Sequence, residues 1–363
     1  MPEASRITLL TFDEEPPAHG GVAPDKAEQH HDWLDLSTGI NPWHYPWVVD
    51  DLETLSTLPN EAKALETAAH HYYLGKHQGN ESLTFNLMMV PGSQWAIEQL
   101  PDCFPTGRVA VPVIGYREHA WCWHRRGHTC LGYPADKLES VLETLLQDSA
   151  LRAVVVINPN NPTGHRYSPE CLQNFAVRLA STGIVLIVDE AFIDTEPEFS
   201  LIHQLPDNAI VLRSFGKFFG LPGLRLGAVL GRNEVLAPLK VRQGPWAIGS
   251  LAQRLGNHAL SDTVWQGNMR QRLISWSKAY QSLLLQAVKP GEVLATARTA
   301  LFVTLTMTRR SALQYQETLQ QAGILVRLWP LDKHHACLRF GLLREEDRVA
   351  CRRLLCALER AHE

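Results

Sequence analysis

Continuous apolar runs alternate with helical periodicity through the middle of the chain. Ala153-Val154-Val155-Val156-Ile157 and Ile184-Val185-Leu186-Ile187-Val188 offer no polar position to solvent, as strands do when both faces of a parallel sheet are covered. Between them Leu172, Phe175, Ala176 and Leu179 recur at i, i+3, i+4 and i+7 behind Ser168-Pro169. That spacing predicts a helix capped by the serine and ended at Ser181-Thr182-Gly183. Val109-Ala110-Val111, Ala209-Ile210-Val211-Leu212 and the run 226–231 predict further strands, and strand, helix, strand at these distances implies an α/β layered sheet. Earlier, Leu34 and Leu36 alternate with Asp35 and Ser37 as in a half-buried strand, 61–73 reads as a helix, and Val90-Pro91-Gly92-Ser93 opens another that runs to Leu100. Beyond about residue 265 the rhythm changes. A long helical run over 265–288 precedes strands at 301–305, 324–327 and 336–340, a helix at 311–322 and a closing helix. This predicts a small α+β lobe onto which the N-terminal segment is expected to pack. The expected division is a large domain, 46–270, and a discontinuous small one, 1–45 with 271–363.

Composition narrows the classes. With 363 residues, 45% of them hydrophobic, the chain can bury a large core, and a net charge of -4 provides no electrostatic footprint for nucleic acid or a membrane surface. No apolar run approaches the roughly 20 residues of a spanning helix, and the short one ahead of Asp13-Glu14-Glu15 makes a poor signal peptide. Seven cysteines, an odd number without a C-x-x-C pair, fit a reduced, cytoplasmic compartment, so Asn80-Glu81-Ser82 reads as a chance sequon. Three of the histidine pairs, His30-His31, His70-His71 and His334-His335, are adjacent in sequence, which turns their rings apart; no metal site is expected.

Candidate chemistry collects where three successive predicted strands end, the edge at which α/β sheets gather ligands. In Ser214-Phe215-Gly216-Lys217, with Arg225 eight residues on, the lysine amine can form an imine with an aldehyde, while the serine hydroxyl and the arginine fork suit a phosphate dianion. Gly92-Ser93-Gln94 opens a helix and makes a second phosphate cradle. Asp189, in Asp189-Glu190-Ala191-Phe192, can keep a pyridine nitrogen protonated so that the ring accepts electrons. Asn161, in Asn158-Pro159-Asn160-Asn161-Pro162-Thr163-Gly164, can donate to a ring oxygen, and Tyr116 can stack on a ring face. Each alone has a plainer reading: a solvated lysine, a helix cap, a turn, a core tyrosine. Their order and spacing together point to a covalently held, phosphorylated aldehyde cofactor.

This set, G-S-Q, P-x-x-G-Y, N-P-N-N-P-T-G, D-E-A-F and S-F-G-K-x7-R, resembles the pyridoxal-phosphate enzymes of the aspartate aminotransferase fold (fold type I) over roughly residues 35–345. The resemblance implies a large α/β domain with a mostly parallel sheet, a small α+β domain built from both termini, and pyridoxal 5'-phosphate as cofactor. It makes Lys217 the imine-forming residue, Asp189 the pyridinium partner, Asn161 the donor to the phenolic oxygen and Tyr116 the stacking ring. Ser93, Gln94, Ser214 and Arg225 become the cofactor's phosphate site, and Arg339, in Cys337-Leu338-Arg339-Phe340-Gly341, the binder of the substrate α-carboxylate. A narrower set, His19-Gly20-Gly21, Asp35-Leu36-Ser37-Thr38-Gly39-Ile40-Asn41-Pro42, Asp189-Glu190-Ala191-Phe192-Ile193-Asp194, Gly244-Pro245-Trp246 and Gly323-Ile324-Leu325-Val326-Arg327, is similar to the threonine-phosphate decarboxylase family of cobalamin biosynthesis. Histidinol-phosphate aminotransferases share nearly all the cofactor contacts. Two departures stand out: Phe192 replaces a tyrosine common among aminotransferases, and Leu58-Pro59 stands where relatives carry a Tyr-Pro pair reaching the neighbouring subunit.

The narrower resemblance implies decarboxylation of O-phospho-L-threonine to aminopropanol phosphate, with transamination as the alternative. Phosphoserine stays open as a substrate. A phosphorylated substrate needs an anion site of its own, and His19, Gly20, Gly39, Asn161, Arg327 and Arg339 are the candidates, against a plain reading of the arginines as surface residues on strands. A non-catalytic regulator weighs less, since Lys217 is intact and no DNA-binding region is attached. A cytoplasmic homodimer acting on a small molecule, with no nucleic-acid or membrane partner, completes the expectation.

Overall fold

The computed structural model describes residues 7–12, 15–17, 19–21, 33–47, 55–75 and 85–361. The N-terminal Met1-Pro2-Glu3, His30-His31 and the Asn80 sequon lie outside them. Strands β1 (Thr8–Leu9), β2 (Leu34–Asp35), β3 (Phe85–Val90), β4 (Arg108–Pro112), β5 (Thr129–Tyr133), β6 (Leu151–Ile157), β7 (Val185–Asp189), β8 (Ala209–Ser214) and β9 (Gly227–Arg232) are followed by β10 (Ala295–Arg298), β11 (Phe302–Thr308), β12 (Ile324–Leu325), β13 (Arg327–Pro330) and β14 (His335–Gly341).

One sheet runs β1-β5-β4-β6-β7-β8-β9-β3. Its five middle strands, β5 to β8 in that order, are mutually parallel, and β1, β9 and β3 join antiparallel. Val154, Val155, Val156, Leu186, Ile187, Val188, Ile210, Val211 and Leu212 are all buried, as strands without a polar face require. The helix Pro169–Ala180 covers the sheet with Leu172, Phe175, Ala176 and Leu179, each burial contributing about 1.5–3 kcal/mol for the larger side chains. Ser168 caps it, accepting from Cys171 N–H at 3.2 Å.

The chain forms two compact units: Met1–Pro17, Tyr45–Asn161 and His165–Gln266 make the first, Ala18–His44, Pro162–Gly164 and Gly267–Glu363 the second. The sequence reading assigned all of 1–45 to the small domain. The pairing of Thr8 and Leu9 with Gly132 and Leu131 in β5 instead ties the first segment to the large sheet. In the second unit, β10-β11-β14-β13 form an antiparallel sheet and β12 pairs in parallel with β2. The single strand expected over 324–327 is divided between these two sheets, with Val326 at the break. Ser37, expected to face solvent, is buried because its hydroxyl donates to Asp35 Oδ1 at 2.6 Å and accepts from Gly21 N–H at 2.8 Å.

Candidate active site

Adjacent strands β6, β7 and β8 end at one edge of the large sheet, and the ladder continues past them: Asn158 N–H donates to Asp189 O at 2.8 Å and Glu190 N–H to Leu212 O at 2.9 Å. The Asn158–Asn161 turn, Asp189 and the Ser214–Lys217 turn therefore lie side by side, as their positions after three apolar runs predicted. Asp189 is buried; its Oδ1 accepts from Ala191 N–H at 3.0 Å, and its Oδ2 lies 2.8 Å from Nε2 of buried His119. A desolvated carboxylate needs such partners. Asn161 is buried, and the neighbouring Asn160 Nδ2 donates to Ile114 O at 2.9 Å, joining this turn to the loop that carries Tyr116.

The half-buried Tyr116 packs edge-on against His119, ring centroids 6.3 Å apart, and its hydroxyl donates to Gln94 Oε1 at 3.0 Å. Burial, then the charges of Glu118 and Asp189, push this phenol well above its ordinary pKa, so it stays protonated. Gln94 is thus committed through its side chain to Tyr116, Glu98 and Glu118.

Lys217 is half-buried in a short helix, Phe215–Phe218, with Nζ 5.5 Å from the Phe192 ring centroid. Phe215 stacks on Phe219 at 4.3 Å, and Phe219 on Trp265 at 5.7 Å, which anchors the turn in apolar packing. Gly227 pairs with both Ser214 and Val90, so the ends of β8, β9 and β3 meet. A Cβ on Gly227 would lie 2.7 Å from Ser93 N, and one on Gly92, at φ 84°, would lie 2.9 Å from Arg225 Nη2. Two glycines thereby let the Ser93 turn close onto Ser214 and the exposed Arg225. Hydroxyls, backbone N–H groups and a guanidinium around one turn fit a phosphate monoester, and a lysine amine on the turn after β8, the strand paired with the one that ends in buried Asp189, fits an aromatic aldehyde with a ring nitrogen. The residues present fit pyridoxal phosphate.

Two residues of this unit escaped the sequence reading. His119 follows Tyr116 by three positions, a spacing that shares a helix face. Arg213 sits in an apolar strand, 1% exposed, donating to Glu190 Oε2 and Ser200 Oγ at 3.0 Å each and pairing with Asp194. A charge inside an unbroken apolar run requires a buried partner, and Asp189-Glu190-Ala191-Phe192-Ile193-Asp194 supplies two.

The second unit assembles the other candidates. Gly21, at the end of His19-Gly20-Gly21, donates to Ser37 Oγ; Gly39 is buried in the turn that follows; and Arg339 Nη2 donates to Ser37 O. Arg327 faces Arg339 directly across β13 and β14. Burial, then the charge of Arg327, lowers Arg339 to about 10, so it remains a cation at neutral pH. Among the described residues, no cluster of three His, Cys, Asp or Glu side chains is placed to hold a metal ion, and no helix is long and apolar enough to cross a membrane.

Residues 49–354 match the family described as aminotransferase class I and II. A threonine-phosphate decarboxylase of Pseudomonas aeruginosa is 37% identical over 354 residues, covering 95% of this chain and 99% of its own length. Another, from Sinorhizobium sp., is 36% identical over 355 residues, covering 95% and 98%. The crystal structure of histidinol-phosphate aminotransferase from Sinorhizobium meliloti in complex with pyridoxal-5'-phosphate superposes with a TM-score of 0.79 at 20% identity over 94% of each chain. The fold is the aspartate-aminotransferase-like α/β fold that the motifs implied.

Proposed function

Because the chain belongs to the aminotransferase class I and II family, we propose that it is a pyridoxal-phosphate-dependent carboxy-lyase that converts O-phospho-L-threonine to (R)-1-aminopropan-2-yl phosphate and CO2 in cobalamin biosynthesis. The observation that carries this reading is the end-to-end likeness to relatives named threonine-phosphate decarboxylase.

Pyridoxal phosphate, when bound, supplies a protonated ring that accepts the electron pair released at the substrate Cα. Lys217 Nζ would hold its aldehyde and Asp189 would keep the proton on the ring nitrogen, with His119 Nε2 at 2.8 Å from Asp189 Oδ2 to orient that carboxylate. Asn161 would donate to the ring oxygen, a duty it would carry without help from Phe192, and Tyr116 would pack against the ring. Ser93, Ser214 and Arg225, with Gln94 at the helix start, would hold the phosphate. On the substrate side, Arg339 takes the α-carboxylate, and Arg327 with His19, Gly20 and Gly39 takes the phosphate ester. CO2 leaves without the bonding electron pair, and one proton delivered to Cα takes its place. Lys217 Nζ is the group that would carry that proton. The enzyme works as a cytoplasmic homodimer, which sedimentation at micromolar concentration checks.

Purified protein given phosphothreonine is expected to release CO2 without forming a 2-oxo acid; amino transfer to 2-oxoglutarate would establish an aminotransferase instead. Lys217→Ala is expected to lose activity by about 10⁴-fold or more, the scale of removing a covalent catalyst, and to resist borohydride fixation of the cofactor.

A further inference from the structure

Placing Arg327 directly opposite Arg339 costs stability, since like charges face each other across the ladder. Trp329 answers that cost. Two positions beyond Arg327, it projects to the same face of β13; it is 7% exposed, and the guanidinium carbons of Arg327 and Arg339 lie 5.0 Å and 5.1 Å from its ring centroid. Cation–π attraction is strongest for tryptophan and grows when water is excluded, which offsets repulsion across a strand pair. Arg339 is held further by Ser37 O and by the Phe302 ring at 5.5 Å. Asp35, whose charge favours the Arg339 cation, accepts from Ser37 N–H at 2.8 Å and from the Ser37 hydroxyl at 2.6 Å.

We propose that Trp329 is a specificity-determining residue whose indole fixes the spacing of Arg327 and Arg339, so that together they receive the carboxylate and the phosphate of one small substrate. An aliphatic side chain would preserve burial but let the guanidinium groups part, losing the preorganisation that converts charge into affinity. The inference rests on the reading of this face as the substrate's anion site.

The test compares wild type, Trp329→Leu and Trp329→Phe, each loaded with pyridoxal phosphate, by two measurements: steady-state decarboxylation of phosphothreonine and calorimetric titration with inorganic phosphate. Trp329→Leu is expected to raise KM about tenfold with kcat within about twofold, and to weaken phosphate binding by a similar factor. Trp329→Phe, with a weaker aromatic face, is expected to lose only about two- to threefold in each. Unchanged KM and phosphate binding in Trp329→Leu would overturn the proposal, as would an equal fall in kcat for both variants, the mark of a merely structural role. Should Trp329→Leu fail to fold, Trp329→Phe decides alone, and wild-type values for it refute the role. If wild type releases no CO2, the functional reading fails, and the phosphate titrations still judge Trp329.

Discussion

Arg213 in the first unit and Arg339 in the second are both buried guanidinium groups, but their surroundings are reversed. Burial works against the charge on Arg213, yet Asp194 and Glu190 outweigh it and raise its pKa. Burial likewise pushes Glu190 upward, and the one cation and two carboxylates are held against one another inside the fold. Arg339 instead faces a second arginine, and burial together with that neighbour lowers it. A closed cluster is scaffold: it ties the segment after β7 to β8, so that Asp189 and the Ser214–Lys217 turn leave the sheet at fixed positions. The Arg327–Arg339 pair instead sets like charges face to face across the ladder, an arrangement that a bound anion would relieve.

The comparison can be broken first at Arg213. Arg213→Ala leaves two carboxylates buried without their cation and is expected to cost about 3–5 kcal/mol, read as a lower urea midpoint. Next, Arg327→Ala removes a like-charge contact: stability is expected within about 0.5 kcal/mol of wild type, while kcat/KM for phosphothreonine falls by roughly ten- to a hundredfold, the scale of a lost charged hydrogen bond. Comparable unfolding costs for both arginines would erase the distinction between scaffold and site. A smaller effect, about tenfold in kcat, is expected for His119→Leu, which leaves Asp189 one partner short; an unaltered kcat would remove His119 from the machinery. The smallest is Gly92→Ala, where positive φ and the Arg225 contact together are expected to weaken cofactor binding by about 1–2 kcal/mol, measured by cofactor titration of the apoprotein.

Legibility followed the strength of local signals. The apolar runs of β6, β7 and β8 and the Pro169–Ala180 helix were readable because their burial pattern is written in consecutive residues. Edge strand β3 was not, because Phe85-Asn86-Leu87-Met88-Met89-Val90 has neither alternation nor β-branched residues until its last position. The extent of the small domain at the N-terminus turned on a two-residue pairing, too short to leave a pattern.

What the chain determined by itself was therefore the layered fold and the chemical kinds gathered at its edge: an amine, a carboxylate and an amide, each placed by the end of an apolar strand it follows. Only the tertiary structure decided which distant groups serve them. The His119–Asp189 contact spans 70 positions, the Arg213 cluster joins β8 to the segment after β7, and the Trp329 face exists because register sets Arg327 opposite Arg339. Strand periodicity is local and survives in sequence, whereas the pairing of buried charges depends on register and packing between segments that sequence order keeps apart.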